Sequence, residues 1–238
     1  MSNSGNVPWA RITDDPWVGS RRLVQVRPHL WAWLERGLGD EPVLEIGPGL
    51  RPTARVQTST FVDRSEHVLG LLSDRGATVA LADGPLAFED GHFGAVVAFE
   101  ILEHVQEDET LVAEISRVLR AEGRLLMSVP IRASMWTSLD DICGHVRRYE
   151  PEDLFTLMKA HGLEVGGYAW HRPERPFVTK IRTKVLSADR AIATAVVQNT
   201  LFPAQAVWQR RFAHARWTAP DIPVPAEAEH VELWARKI

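Results

Sequence analysis

Short apolar runs rich in β-branched residues alternate with stretches of helical period from residue 43 onward, and few folds satisfy that alternation. Such runs suit strands buried on both faces, and the amphipathic stretches between them suit helices that cover those faces. The reading is an α/β chain with a mostly parallel sheet. Seven strands are expected, near Val43 to Ile46, Thr60 to Val62, Thr78 to Leu81, Ala95 to Phe99, Arg124 to Val129, Glu164 to Trp170 and Val231 to Arg236.

The clearest helix is expected from Glu107 to Leu119, where Leu111, Ile115, Val118 and Leu119 share a face. Another opens at Pro151, with Glu152 and Asp153 in its first turn, and stops at Gly162. Two regions stand outside the alternation. Residues 1–40 form an extension with an expected helix over Ser20 to Leu38 that carries Trp31 and Trp33. Between the last two strands, Pro176 to Glu229 reads as a helical insertion, a lid over an acceptor site or a dimerisation arm, because Phe177, Ile181, Val185, Ile192, Val196 and Val197 recur at helical spacing. A core over residues 41–175 and a final strand over 230–238 complete one domain.

Composition narrows the function. A chain of 238 residues, 45% hydrophobic and 24% charged, can bury a sizeable core. No apolar stretch is long enough to span a bilayer and the start lacks a signal-peptide pattern, so a cytoplasmic location is expected. The single cysteine, Cys143, excludes an internal disulfide and a cysteine-based zinc site. A net charge of -4 argues against a general nucleic-acid binder, although nine Lys or Arg against two acids lie between Arg172 and Arg216. That basic segment suits an anionic acceptor, a partner chain or an acidic surface.

The chemistry starts where the first strand runs into Gly47-Pro48-Gly49. Residues without side chains there allow a ligand to approach the backbone, although two glycines also serve a plain tight turn. The second strand ends in Asp63, a carboxylate placed to accept from ribose hydroxyls. A second acid, Asp83, follows the third strand and offers an acceptor for an exocyclic amine.

Taken in order, several motifs resemble those of the class I S-adenosylmethionine-dependent methyltransferases over about Pro42 to Leu163. They are Glu45-Ile46-Gly47-Pro48-Gly49, Asp63, the run Asp83 to Phe88, the run Phe99 to Val105 and the run Val118 to Leu125. The resemblance implies a Rossmann-like doubly wound seven-stranded sheet, mostly parallel with an antiparallel last strand. It also implies that Glu45, Gly47, Pro48 and Gly49 lie under the methionine part of the cofactor, with Asp63 on the ribose. Arg64, Asp83 and Gly84 would lie about the adenine, with Phe99 and Glu100 at the cofactor's amino end. Two departures stand out. The third glycine of the family turn is replaced by Arg51, and Pro52 leaves little room for the helix that usually follows. Fewer oriented N–H groups would then face the cofactor carboxylate, a deficit Arg51 could offset.

The run Glu100-Ile101-Leu102-Glu103-His104, with His145, offers two carboxylates and two imidazoles, a set suited to a divalent cation. The same arrangement is similar to that of metal-dependent ubiquinone-pathway O-methyltransferases and small-RNA ribose methyltransferases. A metal is therefore a candidate but is not favoured over a hydrogen-bonding role. His104 and His145 are also the candidate general bases, since an imidazole titrates near working pH. The block Trp136 to Tyr149 resembles methyltransferases in which Gly-His-x-Arg-Arg-Tyr borders the acceptor pocket.

The leading expectation is transfer of a methyl group to a small-molecule acceptor, with oxygen preferred to nitrogen. Three rivals remain. A nicotinamide-dependent dehydrogenase shares the glycine turn but lacks a glycine three residues after Gly49 and leaves the Glu-x-x-Glu-His run unexplained. A non-catalytic scaffold, the fold kept and the activity lost, has no use for Asp63 and Asp83. An RNA ribose methyltransferase would need a more extended basic surface. A homodimer is compatible with all of these.

Overall fold

A computed structural model describes residues 22–82, 84–172, 183–184, 203, 207 and 216–238. Its contacts divide the chain into two compact units.

One unit contains the first three strands, β1 (Val43–Ile46), β2 (Thr60–Asp63) and β3 (Thr78–Leu81). They pair in parallel, β1 on β2 and β2 on β3. All four residues of β1 are buried, as expected of a strand covered on both faces, whereas β3 is exposed at both ends and half-buried between them. Helix α1 (Pro28–Glu35) buries Leu30, Trp31 and Leu34. It is shorter than the expected Ser20–Leu38 helix, for a local reason. Arg27 sits in the left-handed region at φ 50° and Pro28 takes the first helical position, so the helix cannot extend backward. The residues before it instead lie extended, Val24 donating to the Leu50 carbonyl and Val26 to that of Pro52. Helix α2 (Glu66–Ser73) is capped by the Ser65 hydroxyl, which accepts from the Val68 N–H, and buries Val68, Leu69 and Leu72.

The other unit contains β4 (Phe93–Phe99), β5 (Leu119–Pro130), β6 (Leu163–His171) and β7 (His230–Lys237). Strand β4 is buried along its whole length and pairs in parallel with β5, while β7 lies antiparallel between β5 and β6. Helix α3 (Asp108–Val118) buries Leu111, Val112, Ile115 and Val118, with two acids in its first turn and Arg117 in its last. A short α4 (Ser138–Cys143) follows β5, and α5 (Pro151–Ala160) precedes β6.

Together the seven strands form one sheet in the order β3-β2-β1-β4-β5-β7-β6. This is the Rossmann-like sheet with an antiparallel last strand that the motifs implied. Of the expected insertion, Thr183, Lys184, Pro203 and Val207 are helical; most of the remainder, including the stretch read as a lid, lies outside the described residues. Residues 216–229 are described and run as loop and turns, with Thr218 bridging to Tyr168. No described helix is long and apolar enough to cross a membrane.

Candidate functional site

In the first unit the site is built around the end of β1. Gly47 and Gly49 both lie in the left-handed region, at φ 61° and 51°, which a side chain would oppose. The Gly47 N–H donates to the Val62 carbonyl, and the Gly49 N–H donates to Oδ2 of Asp63 at 3.0 Å. Asp63 Oδ1 accepts from the Ser65 N–H at 2.9 Å. Asp63 is thus the residue that ties the glycine turn to the end of β2, and it is buried. Between the turn and β2 the only described helical element is a single turn at Val56–Thr58, in keeping with the shortened helix expected from Pro52.

Glu45 shows why the loop can do without that helix. Its carboxylate accepts from the Thr53 N–H at both oxygens, at 2.9 and 3.0 Å, and from the Ala54 N–H at 2.8 Å. The loop therefore wraps a buried carboxylate where a helix terminus would otherwise stand. Burial nevertheless pushes the Glu45 carboxyl up to about 7, against the pull of those N–H groups and of Arg27. Pro48 is buried beside the turn and Arg64 is half-buried after β2. Asp83 lies outside the described residues.

In the second unit a polar cluster forms at the carboxyl end of β4. Phe99 is buried, and Glu100 follows with φ 56°, a left-handed value that costs a non-glycine residue of order 1 kcal/mol. The Glu100 N–H donates to the Ser128 carbonyl, and its carboxylate accepts from the Ser128 hydroxyl. The other carboxylate oxygen is 3.3 Å from Nε2 of His230. Burial works against charge on His230, but Glu100 and then Glu229 raise its pKa overall. Gly84, in the same unit, is half-buried in the loop after β3.

Glu103 is fully buried, and neither of its carboxylate oxygens has a hydrogen-bond partner among the described residues. Burial, with Glu100 and Asp140 adding repulsion, holds its pKa well above the usual carboxylate range. His104 places Nδ1 3.3 Å from the Gly144 carbonyl, and its ring meets that of His145 edge to face at 4.8 Å. His145 Nε2 lies 4.0 Å from Glu103 Oε1. Glu103, His104 and His145 accordingly offer three donor atoms within 4.8 Å of one another. The fourth expected donor, Glu100, lies outside this trio and is engaged by Ser128 and His230. One carboxylate and two imidazoles suit a divalent ion, and the Glu103 oxygens, unpartnered among the described residues, fit one, while burial and the neighbouring acids disfavour charge on that carboxyl.

The His145 block is held together by a network centred on Asp140. His145 Nδ1 is 2.9 Å from Asp140 Oδ1. Arg148 donates to both oxygens of Asp140, at 2.8 and 2.9 Å, and to Glu229 at 3.3 Å. The Thr137 N–H and hydroxyl donate to Asp140 Oδ2 at 2.7 and 3.0 Å, closing the capping box of α4. Burial opposes the Asp140 charge, yet Arg148, Thr137 and His145 together hold it below the ordinary carboxylate range. Burial lowers the His145 pKa despite Asp140 beside it, which leaves the imidazole neutral near pH 7. Arg147 pairs with Asp108 and donates to the Gln106 carbonyl, and the Tyr149 hydroxyl donates to Asp108 at 2.8 Å.

Arg148 was quoted from sequence only as part of the Gly-His-x-Arg-Arg-Tyr motif, and Asp140, Ser128, His230 and Glu229 were given no role. Thr137 and Asp140, three apart before an apolar position, carried a local signal, that of a helix cap. Ser128, His230 and Glu229 meet the site only through the closure of the sheet.

Comparisons fit this geometry. Residues 44–127 match the model of a family described as a methyltransferase domain. Among solved structures the chain is similar to the cyclase SpnF, at 19% identity over 87% of this chain and 78% of that one, with a TM-score of 0.58. A putative methyltransferase from Bacillus halodurans is 18% identical over 87% and 98% of the two chains, with a TM-score of 0.55. A possible histamine N-methyltransferase from Thermotoga maritima is 15% identical over 88% and 91%, also at 0.55. At these identities the likeness is one of fold. No curated protein matches the chain.

Proposed function

We propose that this chain, which carries a class I S-adenosylmethionine-dependent methyltransferase domain, moves the sulfonium methyl group onto an oxygen of a small-molecule acceptor. The observation that carries the cofactor part is the left-handed Gly47–Gly49 turn with Asp63 bound at its Gly49 N–H. A carboxylate oxygen can accept more than one hydrogen bond, so one N–H on each Asp63 oxygen is compatible with acceptance from ribose hydroxyls as well. In this reading Glu45, Gly47, Pro48 and Gly49 serve the methionine end, Arg64, Asp83 and Gly84 the adenine, and Phe99 and Glu100 the amino group.

For the acceptor, the reading rests on His145. A neutral imidazole whose Nδ1 is occupied by Asp140 has its other nitrogen available to take the proton of a hydroxyl as the oxygen attacks the methyl. The sulfonium needs no further activation, so orientation of the acceptor supplies most of the rate. His104, whose ring abuts that of His145, is the second candidate base.

A second reading is favoured by the three convergent donors. A divalent ion held by Glu103, His104 and His145 would supply Lewis-acid stabilisation to the acceptor oxygen. The protein's own part would then be to hold the two imidazoles and the carboxyl group in place around it.

Calorimetry with adenosylhomocysteine tests the cofactor part, and failure to bind removes it. Incubation with methyl-labelled cofactor and matched hydroxyl, amine and carbon acceptors tests the rest. Labelling of amines alone would overturn the oxygen assignment.

A further inference from the structure

The side chain that governs His145 stands five residues before it. Asp140 is almost fully buried, and every polar contact described for its carboxylate is with a donor: Arg148 on both oxygens, Thr137 twice on Oδ2, His145 on Oδ1. A carboxylate accepts and cannot donate when ionised. The nitrogen of His145 that faces it must therefore carry the hydrogen. In a neutral imidazole this leaves Nε2 as the lone-pair nitrogen, and Nε2 is the one turned toward Glu103. The backbone supports the same placement, because the His145 N–H donates to the Asp140 carbonyl at 2.9 Å across the left-handed Gly144.

We propose that Asp140 is a positioning residue that locks His145 in the Nδ1–H tautomer, leaving Nε2 as the lone-pair nitrogen. The inference rests on the methyl-transfer reading for its purpose, though not for its geometry. Arg148 and Thr137 act one step further out, since five donors aimed at two oxygens allow Asp140 no freedom to turn. An acid with this role does not take the proton itself; it keeps the ring aligned and stabilises the imidazolium that forms.

The arrangement separates Asp140 from a mere helix cap. Capping α4 requires only that Oδ2 accept from Thr137, and Oδ1 is left over for the imidazole and Arg148 Nε. Asp140→Asn offers one acceptor oxygen and one donating amide. Wherever the amide points, a donor meets a donor, and turning it toward the ring favours the other tautomer.

The test is tautomer-resolved nitrogen-15 NMR on full-length protein with labelled histidine, with His145→Gln used to assign its signals. Wild-type protein should show His145 protonated at Nδ1 and unprotonated at Nε2 at pH 7.5. Asp140→Asn should raise the Nε2–H population at least tenfold while adenosylhomocysteine binds within twofold of wild type. A wild-type His145 protonated at Nε2 overturns the proposal, and it does so without any variant having to fold. An unchanged tautomer in folded Asp140→Asn overturns it as well. Loss of adenosylhomocysteine binding by the wild-type chain would instead strike the functional reading and leave the tautomer result standing.

Discussion

Asp63 serves two ends, and its replacement separates them. In Asp63→Ala the Gly49 and Ser65 N–H groups lose their acceptor, so the variant should be less stable as well as weaker in binding. The expected loss of adenosylhomocysteine affinity is about 1.5 to 3 kcal/mol, tenfold or more in Kd by calorimetry. A folded variant that binds as well as wild type would confine Asp63 to holding the turn. Glu45 makes a prediction about pH. Its folded pKa, about 7 against an ordinary 4.5, is a raised one. The stability it contributes is fully present below about pH 4.5 and is lost as pH rises through about 7. The difference is on the order of 3 kcal/mol. Denaturant unfolding at pH 5 and pH 8 should show that decline in the wild type, and Glu45→Gln should flatten it while lowering stability overall. Equal slopes in the two proteins would mean that Glu45 stays ionised around its three N–H contacts.

Among the elements, α3 does more than cover the sheet. Arg117 in its last turn donates to the carbonyls of Leu86 and Phe88, to Asp90 and to both oxygens of Glu114, while Glu114 accepts from the Leu86 N–H. One guanidinium thus staples the loop between β3 and β4 to the helix. Arg117→Ala should cost about 1 to 3 kcal/mol in denaturant unfolding, since it leaves loop carbonyls and the half-buried Glu114 without their charged donor. A cost below about 0.5 kcal/mol would place these bonds among ordinary surface ion pairs. At the other end of the sheet, β6 carries a register shift between Val165 and Gly167, opposite Trp234 of β7. A Cβ on Gly166 would overlap the Trp234 ring. Gly166→Ala should therefore destabilise the protein by about 1 to 3 kcal/mol, through displacement of the indole. A thermal midpoint equal to that of wild type would show that the ring can move aside freely.

For the whole molecule, the state of Glu103 decides between the two readings of the acceptor side. Burial disfavours its charged form, so it contributes stability that is present below its ordinary carboxylate range and is lost as pH rises through its raised folded value. Glu103→Gln copies the neutral acid, so it should fold normally and gain stability relative to wild type as pH rises through that value. If the residue instead serves as an anionic metal ligand, the same change should abolish metal retention, measured on protein purified without a histidine tag. Activity adds an independent check. Because the folded pKa of His145 is lowered from 6.5, the base is already deprotonated at neutral pH, and the acid limb of turnover should lie below 6.5. A limb above pH 7 would point to another group.

Periodicity and short-range chemistry were enough for the seven strands, the glycine turn and the identity of Asp63. Each depends on a pattern of burial or on a backbone conformation that a few adjacent residues dictate. The contact between the turn and Asp63 was legible for the same reason: Gly47, Gly49 and Asp63 lie within one turn and one strand of each other. The α1 boundary was misread because apolar spacing outweighed the stop that Arg27 and Pro28 impose. The acceptor side depended on distance in sequence. Only the folded sheet brings Glu229, 81 residues away, to Arg148, and sets His230 against Glu100. Only the closed loop turns the cap residue Asp140 toward His145. A local pattern names the residue types that can carry a charge or a proton. Which of them are buried, and against what, is set by packing, and burial is what raises the Glu103 pKa and lowers that of His145.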